Sequence, residues 1–217
     1  MRILFTKKLE QREVSAILGN DAEWSFLEVI KINPQKINPF DLEKKTLVFT
    51  SENAVKYFFE NQFVINENSL YCVGEKTAQL LEKNGFIVEH TAKNAKELAR
   101  CLVERKIDDI FHFCGNLALS TLQEELGKEG LKYEKIEVYE TELLYPKTDA
   151  VYQAIVFFSP SGVRSFAKQN TLYGAKIFSI GETTTKEIEN FTQQKIFTSE
   201  ANSLRHLLEI IKQEIVK

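Results

Sequence analysis

The stretch TLVFTSENAVKYFFE, Thr46 to Glu60, is written again as AIVFFSPSGVRSFAK, Ala154 to Lys168. Each copy is an apolar strand, a Ser-x-polar-small-Val turn, then a stretch with helical spacing. Leu47, Phe49, Ser51, Val55 and Phe58 align with Ile155, Phe157, Ser159, Val163 and Phe166 at a constant offset of 108 residues (155 − 47). The likeness continues further along. CVGEKTAQLLEKNGF from Cys72 echoes SIGETTTKEIENFTQ from Ser179, and each copy then offers a strand, an Asn (Asn94, Asn202) and another helix. A chain written this way must fold into two similar halves.

Short β-branched or aromatic runs recur at Ile3–Phe5, Phe26–Ile32, Thr46–Thr50, Ser69–Val73, Phe86–Glu89, Ile110–Phe113, Lys132–Tyr139, Ala154–Phe158, Lys176–Ile180 and Lys195–Thr198. Most are apolar at successive positions, which suits strands covered on both faces, as in parallel sheets. Helical stripes lie between them, such as Leu204, Leu207, Leu208, Ile211 and Ile215, or Leu119, Leu122 and Leu126. Strand and helix in alternation mean an α/β fold. The first copy runs on through a further strand–helix–strand, Ile110 to Tyr139. The second has no such continuation, whereas residues 1–32 read as a strand–helix–strand with nothing to pair with. The expected architecture is therefore two flavodoxin-like α/β domains, each a five-stranded parallel sheet flanked by helices. One is discontinuous, 1–32 plus 151–217; the other is 42–138. Linker strands 33–41 and 139–150 join them, carrying Pro34, Pro39 and Pro146.

Composition narrows the function. An apolar fraction of 43% and a charged fraction of 27% are ordinary for a globular chain of 217 residues. A net charge of −3 without any dense Lys/Arg run argues against nucleic acid as a partner. Cys72, Cys101 and Cys114 are odd in number and form no C-x-x-C, so reduced thiols are expected. Ile3-Leu4-Phe5 is too short for a signal-peptide core, and no run approaches the roughly 20 apolar residues that span a bilayer. The expectation is a cytoplasmic protein that leaves membranes alone. His90, His112 and His206 have no metal or triad spacing, and His112 reads as a core residue of an apolar strand. No G-x-G-x-x-G follows a strand, and GEKT at Gly74 lacks the leading glycine of a phosphate loop. Neither a metal nor a cofactor is expected.

In open parallel sheets, ligands bind beyond the carboxyl ends of the strands. Here those ends read TKK (Thr6–Lys8), TSEN (Thr50–Asn53), GEKT (Gly74–Thr77), CGN (Cys114–Asn116), SPSG (Ser159–Gly162) and GETT (Gly181–Thr184). Such turns offer hydroxyls and free N–H groups at the positive ends of helices, which suits anions. Any one of them is also an ordinary helix cap. Their repetition in both halves favours a ligand site, with the six loops lining one cleft if the domains face each other. Three functions fit these features: an enzyme acting on an anionic substrate, a hinged binding protein for a small anion, and a flavodoxin-like or receiver-type signalling module. Exported binding proteins carry a signal segment, which is not seen here. Receivers need acids at the first strand end, where this chain has Phe5-Thr6-Lys7.

The series FTSENAV, CVGEKTA, FCGN, VYET, FFSPSG and SIGETTT, in that order, resembles uroporphyrinogen-III synthase. The match runs over nearly the whole chain and is clearest from Val48 to Thr141 and from Val156 to Thr184. The resemblance implies a monomeric, cofactor-independent lyase of haem, sirohaem and corrinoid synthesis. It cyclises hydroxymethylbilane to uroporphyrinogen III, losing water and inverting the last ring. It also implies transient contact with hydroxymethylbilane synthase. Carried over residue by residue, Tyr139 in VYET matches the tyrosine that aids departure of the hydroxyl, although a tyrosine ending a strand beside a linker also has a purely structural reading. The implied substrate-binding set is Thr6, Lys7, Ser51, Asn53, Gly74, Thr77, Gly115, Asn116, Ser159, Ser161, Gly162, Lys176, Gly181, Thr183 and Thr184. Many members have Thr-Arg-Pro where this chain has Thr6-Lys7-Lys8; lysine keeps the charge and loses the bidentate fork. Glu52, Glu75 and Glu182 would repel a polycarboxylate and are expected to face solvent or their own helix N-termini.

Overall fold

The computed structural model describes residues 1–19 and 22–215, the last by its backbone alone. Asn20, Asp21, Val216 and Lys217, and the side chain of Ile215 in the expected apolar stripe, lie outside the described residues. In chain order the first elements are β1 (Arg2–Phe5), α1 (Gln11–Leu18), β2 (Glu23–Phe26), β3 (Ile30–Pro34), β4 (Thr46–Phe49), α2 (Glu52–Glu60), β5 (Leu70–Val73), α3 (Glu75–Lys83), β6 (His90–Ala92) and α4 (Ala95–Glu104). They are followed by β7 (Ile110–Gly115), α5 (Thr121–Lys128), β8 (Tyr133–Leu143), β9 (Ala154–Phe157), α6 (Pro160–Ala167), β10 (Lys176–Ser179), α7 (Glu182–Ile188), β11 (Ile196–Thr198) and α8 (Leu204–Ile215).

The strands form two sheets. One is ordered β11-β10-β9-β1-β2 and is parallel throughout, with Ile3 opposite both Trp24 and Ala154. The other is ordered β3-β8-β7-β4-β5-β6, with β8 through β6 parallel. It has six strands where five were expected, because Ile30–Pro34 joins its edge beside β8. The chain divides into two compact units, Met1–Lys31 with Glu142–Lys217, and Ile32–Thr141.

The duplicated phrase becomes duplicated structure. All four residues of β4 and of β9 are buried, as strands covered by helices on both faces must be. Each strand ends in a serine with extended backbone that caps the next helix. Ser51 Oγ accepts from the Ala54 N–H at 3.1 Å, and Ser159 Oγ from the Gly162 N–H at 3.1 Å. Behind these caps, Val55 and Phe58 bury against Phe49, Phe63 and Phe113 in one unit, and Val163 and Phe166 against Phe157 in the other.

Four local expectations are corrected. Phe26–Ile32 is not one strand. β2 stops at Phe26, Val29 buries in the core of the first unit, and β3 starts at Ile30 in the other sheet. Phe26, Leu27, Val29, Ile30 and Ile32 are all apolar because each piece packs, although against different cores. Phe86–Glu89 is not a strand either. Helix α3 closes with Gly85 at φ +84°, the Gly85 N–H on Glu82 O at 2.9 Å and the Phe86 N–H on Leu81 O at 3.3 Å. This is a Schellman stop, and Phe86 is its apolar contact. The strand begins at His90, where it meets Tyr71. Leu119 precedes α5 and is exposed, so it is not part of that helix's stripe. Tyr139 lies inside β8, which runs on to Leu143.

Candidate active site at the strand ends

Tyr139 is placed by a bulge. Cys114 pairs with Glu137 but Gly115 pairs with Tyr139, so Val138 is the extra residue. The shift brings the Tyr139 ring over Gly115, where a Cβ would stand 2.5 Å from Cζ. Glycine is required there by contact and not by torsion. The phenol then reaches Ser51, with Oη and Oγ 3.1 Å apart, and its ring centroid lies 5.8 Å from that of Tyr57. Burial raises the Tyr139 phenol above its ordinary value near 10, opposed by the Ser51 hydrogen bond. It is therefore a neutral O–H group at physiological pH. Asn116 completes this edge. Its N–H donates to Tyr139 O at 3.2 Å and its Oδ1 accepts from the Thr141 N–H at 2.8 Å. Beneath, burial pushes the Cys114 thiol up to about 12, so it offers no thiolate nucleophile.

The neighbouring strand ends supply helix N-termini. Gly74, at φ +86°, turns the chain from β5 into α3 in a conformation that favours glycine. Its carbonyl accepts from the Thr77 N–H at 3.1 Å, and Thr77 is buried in the first turn. Asn53 is half-buried in the first turn of α2. The bulge and these turns bring Ser51, Asn53, Gly74, Thr77, Gly115, Asn116 and Tyr139 to the carboxyl edge of one sheet.

The other unit repeats the pattern at its own carboxyl edge. Ser159 Oγ lies 3.1 Å from Ser161 Oγ, and Gly162 is held close to Val29, whose Cγ2 a Cβ would meet at 3.3 Å. Gly181 opens α7, and a Cβ there would overlap the side-chain amide of Asn202. Thr183 is exposed and Thr184 buried in that first turn. Thr6 spends its hydroxyl on Val156 O at 2.8 Å, binding β1 to β9, while Lys7 is exposed. Lys176 stands apart. It begins β10, at the amino end of the strand, and its ammonium binds Glu214 O at 2.7 Å and Glu214 Oε2 at 3.4 Å. The three acids Glu52, Glu75 and Glu182 are exposed first-turn residues, as expected, and Glu182 pairs with Lys186 at 2.7 Å.

Two groups at these edges escaped sequence reading. Thr50 Oγ1 lies 2.8 Å from His112 Nε2, and His112 Nδ1 2.7 Å from the Tyr133 hydroxyl. Ser199 Oγ lies 3.0 Å from His206 Nδ1 at the end of β11. His112 is 62 and 21 positions from its partners and His206 is seven beyond Ser199, so spacing gave no signal for either. Among the described residues no three His, Cys, Asp or Glu are grouped to hold a metal ion, and no helix is long and apolar enough to cross a membrane. A cavity of about 410 Å³ between α1 and α8, lined by Ala16, Ile17, Leu204 and Leu208, includes none of the expected site residues.

The chain superposes on uroporphyrinogen-III synthetase from Helicobacter pylori with a TM-score of 0.67 and 18% identity, over 99% of this chain and 100% of that one. It superposes on a mutant uroporphyrinogen III synthase from Thermus thermophilus with a TM-score of 0.68 and 11% identity, over 100% and 98% of the two chains. At such identities the likeness speaks for the fold. Curated proteins give no match by sequence. The family model of uroporphyrinogen-III synthase HemD matches residues 12–209. With nearly the whole chain matched, this protein belongs to the uroporphyrinogen-III synthase family.

Proposed function

We propose that this chain carries out the family's reaction with Tyr139 as the acid that assists hydroxide departure. The family is a lyase of tetrapyrrole biosynthesis. Its substrate, hydroxymethylbilane, carries a hydroxymethyl group on an electron-rich pyrrole. Protonation of that hydroxyl and loss of water leave a stabilised azafulvenium cation, which the distal pyrrole attacks at its substituted position. The proton lost on ring closure balances the one delivered. The single observation that carries the reading is the Ser51–Tyr139 contact. Ser51 Oγ already accepts from the Ala54 N–H. In the proposed polarity Ser51 donates its O–H to Tyr139 Oη, which frees the Tyr139 O–H for the leaving group, and burial keeps that proton in place.

The strand-end turns of each unit suit carboxylates, of which the substrate carries eight. The proposed binding set is Lys7, Ser51, Asn53, Gly74, Thr77, Gly115, Asn116, Ser159, Ser161, Gly162, Gly181, Thr183 and Thr184, acting through N–H groups, hydroxyls and helix dipoles. Thr6 supports Lys7 from β9, and Lys176 is left out because it sits at the opposite strand end. The selection of one ring-closing conformer is then mainly positioning. The proposed domains are 1–32 with 151–217, and 42–138, connected through 33–41 and 139–150. Transient contact with hydroxymethylbilane synthase in the cytoplasm would spare a substrate that closes by itself to the type I isomer.

The test is incubation of the purified chain with freshly made hydroxymethylbilane and separation of the product isomers. Type III product is expected. Type I product alone, as in spontaneous closure, overturns the proposal.

A further inference from the structure

Thr50 and Ser51 are consecutive residues with side chains on opposite faces of the sheet, and each ends a hydrogen-bonded pair or chain. Ser51 leads to Tyr139, as described. Thr50 leads inward to His112 and on to Tyr133, through contacts of 2.8 and 2.7 Å. His112 is 1% exposed and sits in the middle of β7, opposite Val48. Tyr133 opens β8 at the amino end of the sheet, while Thr50 is half-buried at the carboxyl end. The chain thus spans the sheet from one edge to the other.

Its polarity follows from counting protons. A neutral imidazole has one N–H and one lone pair. Three groups in a row then hold three protons for two contacts, so one hydroxyl at an end of the chain keeps a free O–H. If Nδ1 carried the proton, the free O–H would be that of Tyr133, with no other partner among the described residues. If Nε2 carries it, Tyr133 donates to Nδ1 and Nε2–H donates to Thr50 Oγ1. The free O–H is then that of Thr50, at the carboxyl edge. A phenol is the stronger donor and an aliphatic hydroxyl the better acceptor, which selects the second arrangement. Burial drives His112 down to about 3, with Lys135 adding to it, so the imidazole stays neutral at working pH.

We infer that Thr50 is a substrate-binding residue whose hydroxyl donates to a substrate carboxylate, and that His112 and Tyr133 are positioning residues that fix the direction of that donor. The inference rests on the proposed reaction, since it takes its ligand from it. Its geometry lies entirely within Ile32–Thr141.

Long-range proton–nitrogen NMR on the unliganded wild-type chain reads the His112 tautomer directly. The expected result is a protonated Nε2 and a bare Nδ1; a protonated Nδ1 overturns the inference without any variant. Kinetics supply the second arm. Thr50→Val removes the donor and should raise KM for hydroxymethylbilane about tenfold to a hundredfold, the range for a hydrogen bond to a charged group, with kcat little changed. Thr50→Ser should restore KM. Tyr133→Phe should raise KM less, because it frees the tautomer without removing Thr50. An unchanged KM in Thr50→Val, or a fall confined to kcat, also overturns the inference. Failure of the wild-type chain to give type III product instead overturns the reaction on which it rests.

Discussion

Asn61 and Asn170 make the same three hydrogen bonds in the two halves of the molecule. Each side-chain amide donates to the helix carbonyl four residues back, Tyr57 O at 2.9 Å and Phe166 O at 2.8 Å. Each also donates to a carbonyl of a crossing segment, Gln35 O at 2.9 Å and Pro146 O at 2.7 Å. Each Oδ1 accepts from the N–H two residues further along that segment, Ile37 and Thr148, both at 2.9 Å. One side chain therefore docks each crossing onto the unit it enters. Asn61→Asp and Asn170→Asp replace a double donor by an acceptor facing two carbonyls. Each should cost about 1–3 kcal/mol, seen as a lower urea midpoint with an unaltered slope. Unchanged midpoints would show that the crossings are held by other contacts.

Tyr139→Phe keeps the ring against Tyr57 and Gly115 and removes only the O–H. Turnover should fall about a hundredfold, the lower end of general-acid effects, with KM within a factor of a few. The thermal midpoint should move little, since one partly buried hydrogen bond is worth about 1 kcal/mol. A large loss of stability with normal turnover would make the tyrosine a structural residue.

Gly115→Ala forces a methyl group into the Tyr139 ring. Overpacking of this kind costs about 1–3 kcal/mol. Because the displaced atoms carry the phenol, turnover should fall together with stability, unlike in Tyr139→Phe. Combining the two substitutions should then add little to the kinetic loss of Tyr139→Phe alone; full additivity in a steady-state comparison would refute the shared cause.

His112 makes folding pH-dependent. Its native value is near 3, against 6.5 for an unstrained histidine. Between these limits the unfolded chain binds a proton that the native state refuses, so stability rises with pH. The contribution is complete above pH 6.5 and is lost as pH falls toward 3, amounting to about 2 kcal/mol by pH 5. His112→Gln should flatten the slope of unfolding free energy against pH over this window by about one proton. An unaltered slope in denaturant titrations at pH 7, 6 and 5 would show that other groups set it.

The strands were legible because parallel strands with covered faces are apolar at successive positions, as Leu47–Phe49 and Ala154–Phe157 illustrate. What the sequence hid is instructive. Asn61 and Asn170 escape a fixed 108-residue alignment, which pairs Asn61 with Gln169, because the second half carries one more residue after its helix. Phe26–Ile32 reads as one strand since hydrophobicity marks burial and not the sheet that provides it. Phe86 looks like a strand opening, yet Gly85 just before it is the stronger signal, a helix stop with its apolar contact. At the candidate site, the Ser51 and Ser159 caps were visible as residue types. The Tyr139–Ser51 and Thr50–His112–Tyr133 contacts were not, for they join residues separated by 88, 62 and 21 positions.

The position of β1 sets an order of assembly. Its neighbours are β2 and β9, and the residues it meets in β9 lie some 150 positions downstream. A ribosome releases Ile30 to Leu143, which hold every strand of the six-stranded sheet, before Ala154 appears, so that sheet is free to form first. The opening thirty-odd residues must meanwhile wait as a nascent arm, with Ile3, Leu4 and Phe5 lacking the partner that will bury them. Chaperone dependence and co-translational aggregation should therefore concentrate in that waiting arm, and end only once α8, whose Leu207, Leu208 and Ile211 share a core with Ile3 and Phe5, has cleared the exit tunnel.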